Sequence, residues 1–127
     1  MNENEIAKII VDAAYKIHTT MGPGLLESTY QSILAFELRN RGLKIETEVP
    51  IPVQYEGLTI EVGYRADIIV EDSVIIELKS LEMVAEVHKK QLLTYLRVSD
   101  KRLGLLINFG SPLIRQGITR IVNGLKE

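Results

Sequence analysis

The chain has no cysteine among its 127 residues. That excludes both a disulfide framework and a thiolate metal site. It also lacks a basic surplus, since 15 lysines and arginines against 17 aspartates and glutamates leave a formal net charge of −2. Proteins that depend on non-specific phosphate contacts usually carry excess positive charge, so this balance speaks against tight, general nucleic-acid binding. It does not exclude a nuclease, because acidic metal ligands offset basic residues in the count and a bound metal restores positive charge. No run approaches the roughly 20 apolar residues of a membrane span. The opening MNENEIAKII has neither the basic n-region nor the apolar stretch of a secretory signal, so the expected location is the cytoplasm. No repeat, linker or low-complexity segment interrupts the chain. What is present is a 46% hydrophobic, 25% charged sequence of the length of one ordinary domain, residues 1–127.

Hydrophobic spacing divides that domain. Ile6, Ile9, Ile10, Ala13, Ala14 and Ile17 recur at helical spacing and predict an amphipathic helix over residues 4–20, broken by Gly22-Pro23-Gly24. Leu26, Tyr30, Ile33, Leu34 and Leu38 predict a second helix over 25–41, closed by Gly42. Residues 44–54 then alternate as a half-buried strand, with Pro50 and Pro52 suggesting an edge or a bend. After a turn at Glu56-Gly57, strands are expected over 59–70 and 74–80, joined as a hairpin by Glu71-Asp72-Ser73. Helical spacing returns over 83–98. The apolar segment 103–109 reads as a buried central strand, and 113–122 as a last short strand or hairpin after the break at 110–112. The order α-α-β-β-β-α-β-β implies an α/β sandwich.

Chemistry concentrates in the hairpin. Side chains alternate along a strand, so Glu77 and Lys79 share one face while Ile76 and Leu78 enter a core. If the three-residue loop pairs Val70 with Val74, counting back sets Asp67 opposite Glu77. Two carboxylates facing across a ladder repel and need compensation, which a divalent cation supplies. Lys79 can orient the attacking water, help to deprotonate it, or stabilise the charge of a pentacoordinate phosphate. The plainer reading is a surface hairpin whose lysine neutralises its neighbours, since an Asp-x(n)-Glu-x-Lys pattern is common by chance.

Flanking residues add to the set. Gln91 and Tyr95 lie one turn apart on the next helix and share a face, with His88 beside it. They can hold a phosphate or the lysine, or simply be a solvated glutamine and a half-buried tyrosine. No second histidine lies near His88, which reads as a surface or phosphate-facing residue. On the second helix Glu27 and Tyr30 are three apart and expected to share a face. Glu27 serves either the helix dipole or the metal site. Gly22 and Gly24 serve the turn geometry. Lys89, Lys90 and Arg97 can form a small basic patch, or one solvated helix face.

Gly24-Leu25-Leu26-Glu27-Ser28-Thr29-Tyr30 resembles the name-giving motif of the GxxExxY protein family. The similarity continues in order through Arg65-Ala66-Asp67, Glu77-Leu78-Lys79, Gln91-Leu92-Leu93-Thr94-Tyr95 and the segment Leu103 to Gly110. That family is grouped with the PD-(D/E)XK nuclease superfamily, and Gln91-x-x-x-Tyr95 resembles a motif of RecB-like nucleases. The resemblance implies a restriction-endonuclease-like α/β sandwich, a central mixed sheet flanked by helices. It implies Mg²⁺ or Mn²⁺ on Asp67 and Glu77, with Glu27 and the Leu78 carbonyl as further ligands, and Lys79 as the catalytic lysine. Gln91 and Tyr95 would position phosphate or lysine, with Tyr30, Gly24 and His88 in support. Ala66 replaces the proline of the superfamily pattern, where the metal needs only the aspartate. The substrate implied is DNA or RNA. The alternative is a catalytically inactive nucleic-acid-binding or protein-interaction module on the same fold, because a family fixes a fold more firmly than a reaction. A homodimer would let so small a domain engage two strands or a junction, although the sequence shows no interface.

Overall fold

The computed structural model describes residues 1–126. Helix α1 (Glu3–Met21) starts at a reciprocal cap. The Asn2 side chain accepts from Glu5 N at 2.8 Å, and Asn2 N donates to Glu5 Oε1 at 3.2 Å. Helix α2 (Glu27–Asn40) follows, and Arg41 ties it to α1 through Asp12 and Glu37 at 2.6 and 2.9 Å. Strands β1 (Ile45–Tyr55) and β2 (Leu58–Val70) are joined by Glu56-Gly57, both at positive φ, a tight turn whose twist matches a hairpin. Strand β3 (Val74–Lys79) follows the loop 71–73, helix α3 (Glu86–Ser99) crosses over, and β4 (Leu103–Asn108) returns parallel to β3. The last segment is one helical turn, α4 (Ile114–Gly117), leading into β5 (Ile118–Val122). A helical turn therefore precedes the single strand where a strand or hairpin is expected.

The five strands form one mixed sheet in the order β1-β2-β3-β4-β5, with helices on both faces, the expected α/β arrangement. On one face α1 and α2 bury Ile6, Ile10, Leu34 and Leu38 against Ile68, Val74, Ile76 and Leu78. On the other face, Leu92 and Leu96 of α3 pack on Ile51, Ala66, Ile75 and Leu106. Strand β4 is buried along its whole length, as its unbroken apolar run requires. Strand β1 is an edge, in keeping with Pro50 and Pro52.

Candidate active site

The loop 71–73 sets the register of the hairpin. Glu71 and Asp72 adopt positive φ, and the ladder runs Val70↔Val74, Ile69↔Ile75, Ile68↔Ile76. It stops there. In place of the next backbone pair, the Asp67 carboxylate accepts from Leu78 N at 2.8 Å, and Asp67 N donates to Glu77 Oε1 at 3.4 Å. Asp67 and Glu77 thus meet across two diverging strands. Val74, Ile76 and Leu78 enter the α1–α2 core, whereas Ile75 packs under α3. Alternation puts Glu77 and Lys79 on the Ile75 face, half-buried.

Burial and mutual repulsion dominate the electrostatics. Burial, then the Asp67 charge, pushes the Glu77 carboxyl up to about 8, with Lys79 opposing. Burial also raises Asp67, opposed by the Leu78 N–H and helped by the Glu48 charge. Such a pair shares a proton unless a cation replaces it. Lys79 acts on Asp67, Glu77 and Glu27, lowering the proton affinity of all three.

Glu27 is the first residue of α2 and is exposed at its N-terminus. Desolvation raises its carboxyl, Lys79 lowers it, and the charges of Asp67 and Glu48 raise it, so these groups share one field. Among the described residues, no three His, Asp or Glu side chains stand close enough together to hold a metal, so Glu27 does not close a three-ligand cluster with Asp67 and Glu77.

Tyr30 departs from the expectation that it shares a face with Glu27. It is fully buried, stacked on Phe109 with centroids 4.4 Å apart, and its hydroxyl donates to Gly22 O and accepts from Leu25 N at 3.2 Å. The two positions diverge because Glu27 sits at the helix end, where it meets solvent, while Tyr30 turns down onto the sheet. Tyr30 thereby fixes the turn that carries Gly24, at φ 132, and presents Glu27. Leu25 O in turn accepts from Ser80 Oγ at 2.8 Å, linking that turn to the residue after Lys79.

On α3, Gln91 is exposed and Tyr95 half-buried. The charges of Glu77 and Asp67, after desolvation, hold the Tyr95 phenol above its ordinary value, which places it in the field of the pair. His88 Nδ1 accepts from Ala85 N at 3.1 Å at the start of α3, and the ring lies within electrostatic reach of Glu27.

Three contributors escape the sequence reading. Tyr64 stacks on Tyr95 at 3.8 Å and donates to Tyr95 O at 3.1 Å; burial pushes its phenol up to about 12. Its signal is alternation, since Tyr64 and Ala66 share a strand face. Asn108 is buried and clamps the chain beyond Lys79. Its Oδ1 accepts from Leu81 N at 2.9 Å and Gly110 N at 3.1 Å, and its Nδ2 donates to Leu81 O at 2.9 Å. Gly110 permits this clamp, because a Cβ there would stand 2.4 Å from Leu81 O. The third is Glu48, which accepts from Gln31 Nε2 at 2.9 Å. An apolar groove of about 1020 Å³ between α1 and β4–β5 lies elsewhere; its lining includes Ala7, Val11 and Tyr15 but neither carboxylate of the pair.

The PD-(D/E)XK nuclease superfamily matches residues 4–121. No curated protein matches the chain. Among solved structures, the crystal structure of SSO0001 is similar at 18% identity and a TM-score of 0.49, over 96% of this chain and 80% of that one.

Proposed function

Because the chain belongs to the PD-(D/E)XK nuclease superfamily, we propose that it is a Mg²⁺- or Mn²⁺-dependent nuclease acting on DNA or RNA, of the GxxExxY kind. The observation that carries this reading is the Asp67–Glu77 pair, two carboxylates brought together in a half-buried position where Glu77 holds a proton up to about 8. The donor set fits a hard divalent cation. Such ions take one or two carboxylates and leave positions for water and phosphate. Asp67 and Glu77 would hold it, with the Leu78 carbonyl as a further ligand, while Glu27 contributes its charge to the same field. When bound, the cation lowers the pKa of water and balances phosphate charge.

The remaining steps fall to this chain's own groups. Lys79 holds the attacking water in line with phosphorus and stabilises the added charge as the leaving oxygen departs. Gln91 and Tyr95 hydrogen-bond the phosphate or keep Lys79 in place. Tyr64 holds Tyr95 through the ring stack and the backbone bond. Gly24 and Tyr30 shape the turn that presents Glu27, and His88 lies within electrostatic reach of it.

Calorimetric titration of Mn²⁺ tests the premise. Wild type is expected to bind at millimolar concentration or tighter, and Asp67→Ala to lose at least about tenfold in affinity. No binding by wild type would remove the basis of the reading. A cleavage screen over single-stranded, duplex, branched and RNA substrates follows, with Lys79→Ala expected to cost on the order of 10²-fold or more. Turnover that survives Lys79→Ala points to another site.

The net charge of −2 favours the second reading, a non-catalytic binding or interaction module. Mn²⁺ binding without turnover on any of the four substrates selects it. No helix among the described residues is long and apolar enough to cross a membrane, and we assign the chain to the cytoplasm. A homodimer, engaging two strands at once, completes the proposal; light scattering after gel filtration should return twice the 14.3 kDa chain mass, and a monomer alone would rule it out.

A further inference from the structure

Strands β1 and β2 pair in constant register from Ile45↔Val70 to Ile51↔Tyr64, so neither strand gains a residue over that length. Their side chains nevertheless change faces. Ile45, Ile68 and Val70 lie in the core under α1 and α2. Ile51 and Ala66 lie in the core under α3, with Val49 and Tyr64 packed against it. Regular alternation would keep Ile45, Val49 and Ile51 on one face. The inversion falls between Thr47↔Ile68 and Val49↔Ala66, at the two positions those pairs bracket: Glu48 on β1 and Asp67 on β2. Glu48 has φ 51, a left-handed conformation uncommon for a residue with a Cβ and unusual inside a strand. Gln31 of α2 grips its carboxylate at 2.9 Å. Opposite it, the Asp67 side chain leaves the regular ladder and takes the Leu78 N–H.

We propose that Glu48 is a positioning residue of the site. Its left-handed backbone, steadied by Gln31, inverts both strands together and so aims the Asp67 carboxylate along the sheet at β3, beside Glu77. The role is conformational. It requires a residue that accepts positive φ, with the Gln31 bond as added support, and it does not require a negative charge. A β-branched residue at this position resists the left-handed region, returns β1 to regular alternation and turns Asp67 away from Leu78. The inference rests on the reading of Asp67 as a metal ligand only for its consequence. The geometric part stands in the metal-free protein.

The test uses the Leu78 amide, whose hydrogen bond to Asp67 reports the geometry directly, together with Mn²⁺ titration. In the metal-free protein, Glu48→Gln should leave the Leu78 amide resonance and its exchange protection unchanged, because the amide still bonds Gln31. Glu48→Gly should do the same, since glycine enters the left-handed region freely. Glu48→Val should shift that resonance, raise its exchange rate about tenfold or more, and weaken Mn²⁺ binding by about 10- to 100-fold, while core amides such as Ile10 stay protected. Should valine unfold the chain, Glu48→Ala is compared with Glu48→Gly in its place. Equal Leu78 resonances in those two would overturn the proposal. So would a wild-type Leu78 amide in Glu48→Val, or a shift in Glu48→Gln as large as in Glu48→Val. If wild type binds no Mn²⁺, the metal reading fails, and the Leu78 amide still decides the role of Glu48.

Discussion

Tyr30→Ala is expected to destabilise the fold by about 4 kcal/mol, the range for removing a fully buried aromatic ring. For a domain of this size that lowers Tm by roughly 15 °C. The ring is completely buried and lies flat on Phe109, so its loss opens a cavity between α2 and the end of β4. The hydroxyl adds a second effect. It accepts from Leu25 N and donates to Gly22 O, holding the turn between α1 and α2. Tyr30→Phe keeps the ring and removes only these bonds, at about 1 kcal/mol. The turn carries Glu27 at its end, and its Leu25 carbonyl anchors Ser80 beside Lys79. Tyr30→Phe should therefore leave Tm within a few degrees yet loosen the Ser80 and Leu81 amides in hydrogen exchange. A Tyr30→Ala variant melting with wild type would show that the ring contributes no packing, and protected Ser80 and Leu81 amides in Tyr30→Phe would uncouple the turn from the site.

This tyrosine also shows where sequence spacing stops informing. Its place three residues after Glu27 suggests a shared face, and helical geometry supports that in the middle of a helix. At the first turn, however, one neighbour meets the solvent at the helix end and the other meets the sheet. The hairpin was more legible. A three-residue loop leaves one natural register, and Val70↔Val74 follows. Alternation then places Ile76 and Leu78 in the core. The path of Asp67 was not legible, because it depends on a left-handed glutamate in the neighbouring strand, and no composition rule puts glutamate there. Nor was Asn108, which lies in an apolar run and acts through backbone groups of a loop distant in sequence. Periodicity reports which face a residue occupies when the element is regular, and the site is built where β1, β2 and the start of α2 are not.

Metal-free protein should lose stability as pH rises from about 4.5 to about 8, and Glu77→Gln should remove most of that loss. The unfolded chain ionises this carboxyl near 4.5, whereas the folded chain holds its proton up to about 8. Between those values the folded state binds more protons than the unfolded one, so each rise in pH favours unfolding. Below the window both states are protonated and no penalty exists. Above it both are ionised and the penalty is constant. At about 1.4 kcal/mol per pH unit across the window, the full effect is on the order of a few kcal/mol, shared with Asp67 because the two titrate together. Thermal melts from pH 4.5 to 8.5 in chelator read it. Glutamine keeps the shape and removes the charge, so Glu77→Gln should melt above wild type at pH 8 and alongside it at pH 4.5. A divalent cation should do in wild type what the proton does at low pH. Millimolar Mn²⁺ binding to the folded state alone raises Tm most at pH 8, where the pair is ionised, and little at pH 4.5, where protons compete. A wild-type Tm that is flat with pH in chelator would contradict the buried pair, and a Tm at pH 8 indifferent to Mn²⁺ would leave the pair intact and remove the cation from it. The two results separate the electrostatics of Asp67 and Glu77 from the chemistry proposed for them.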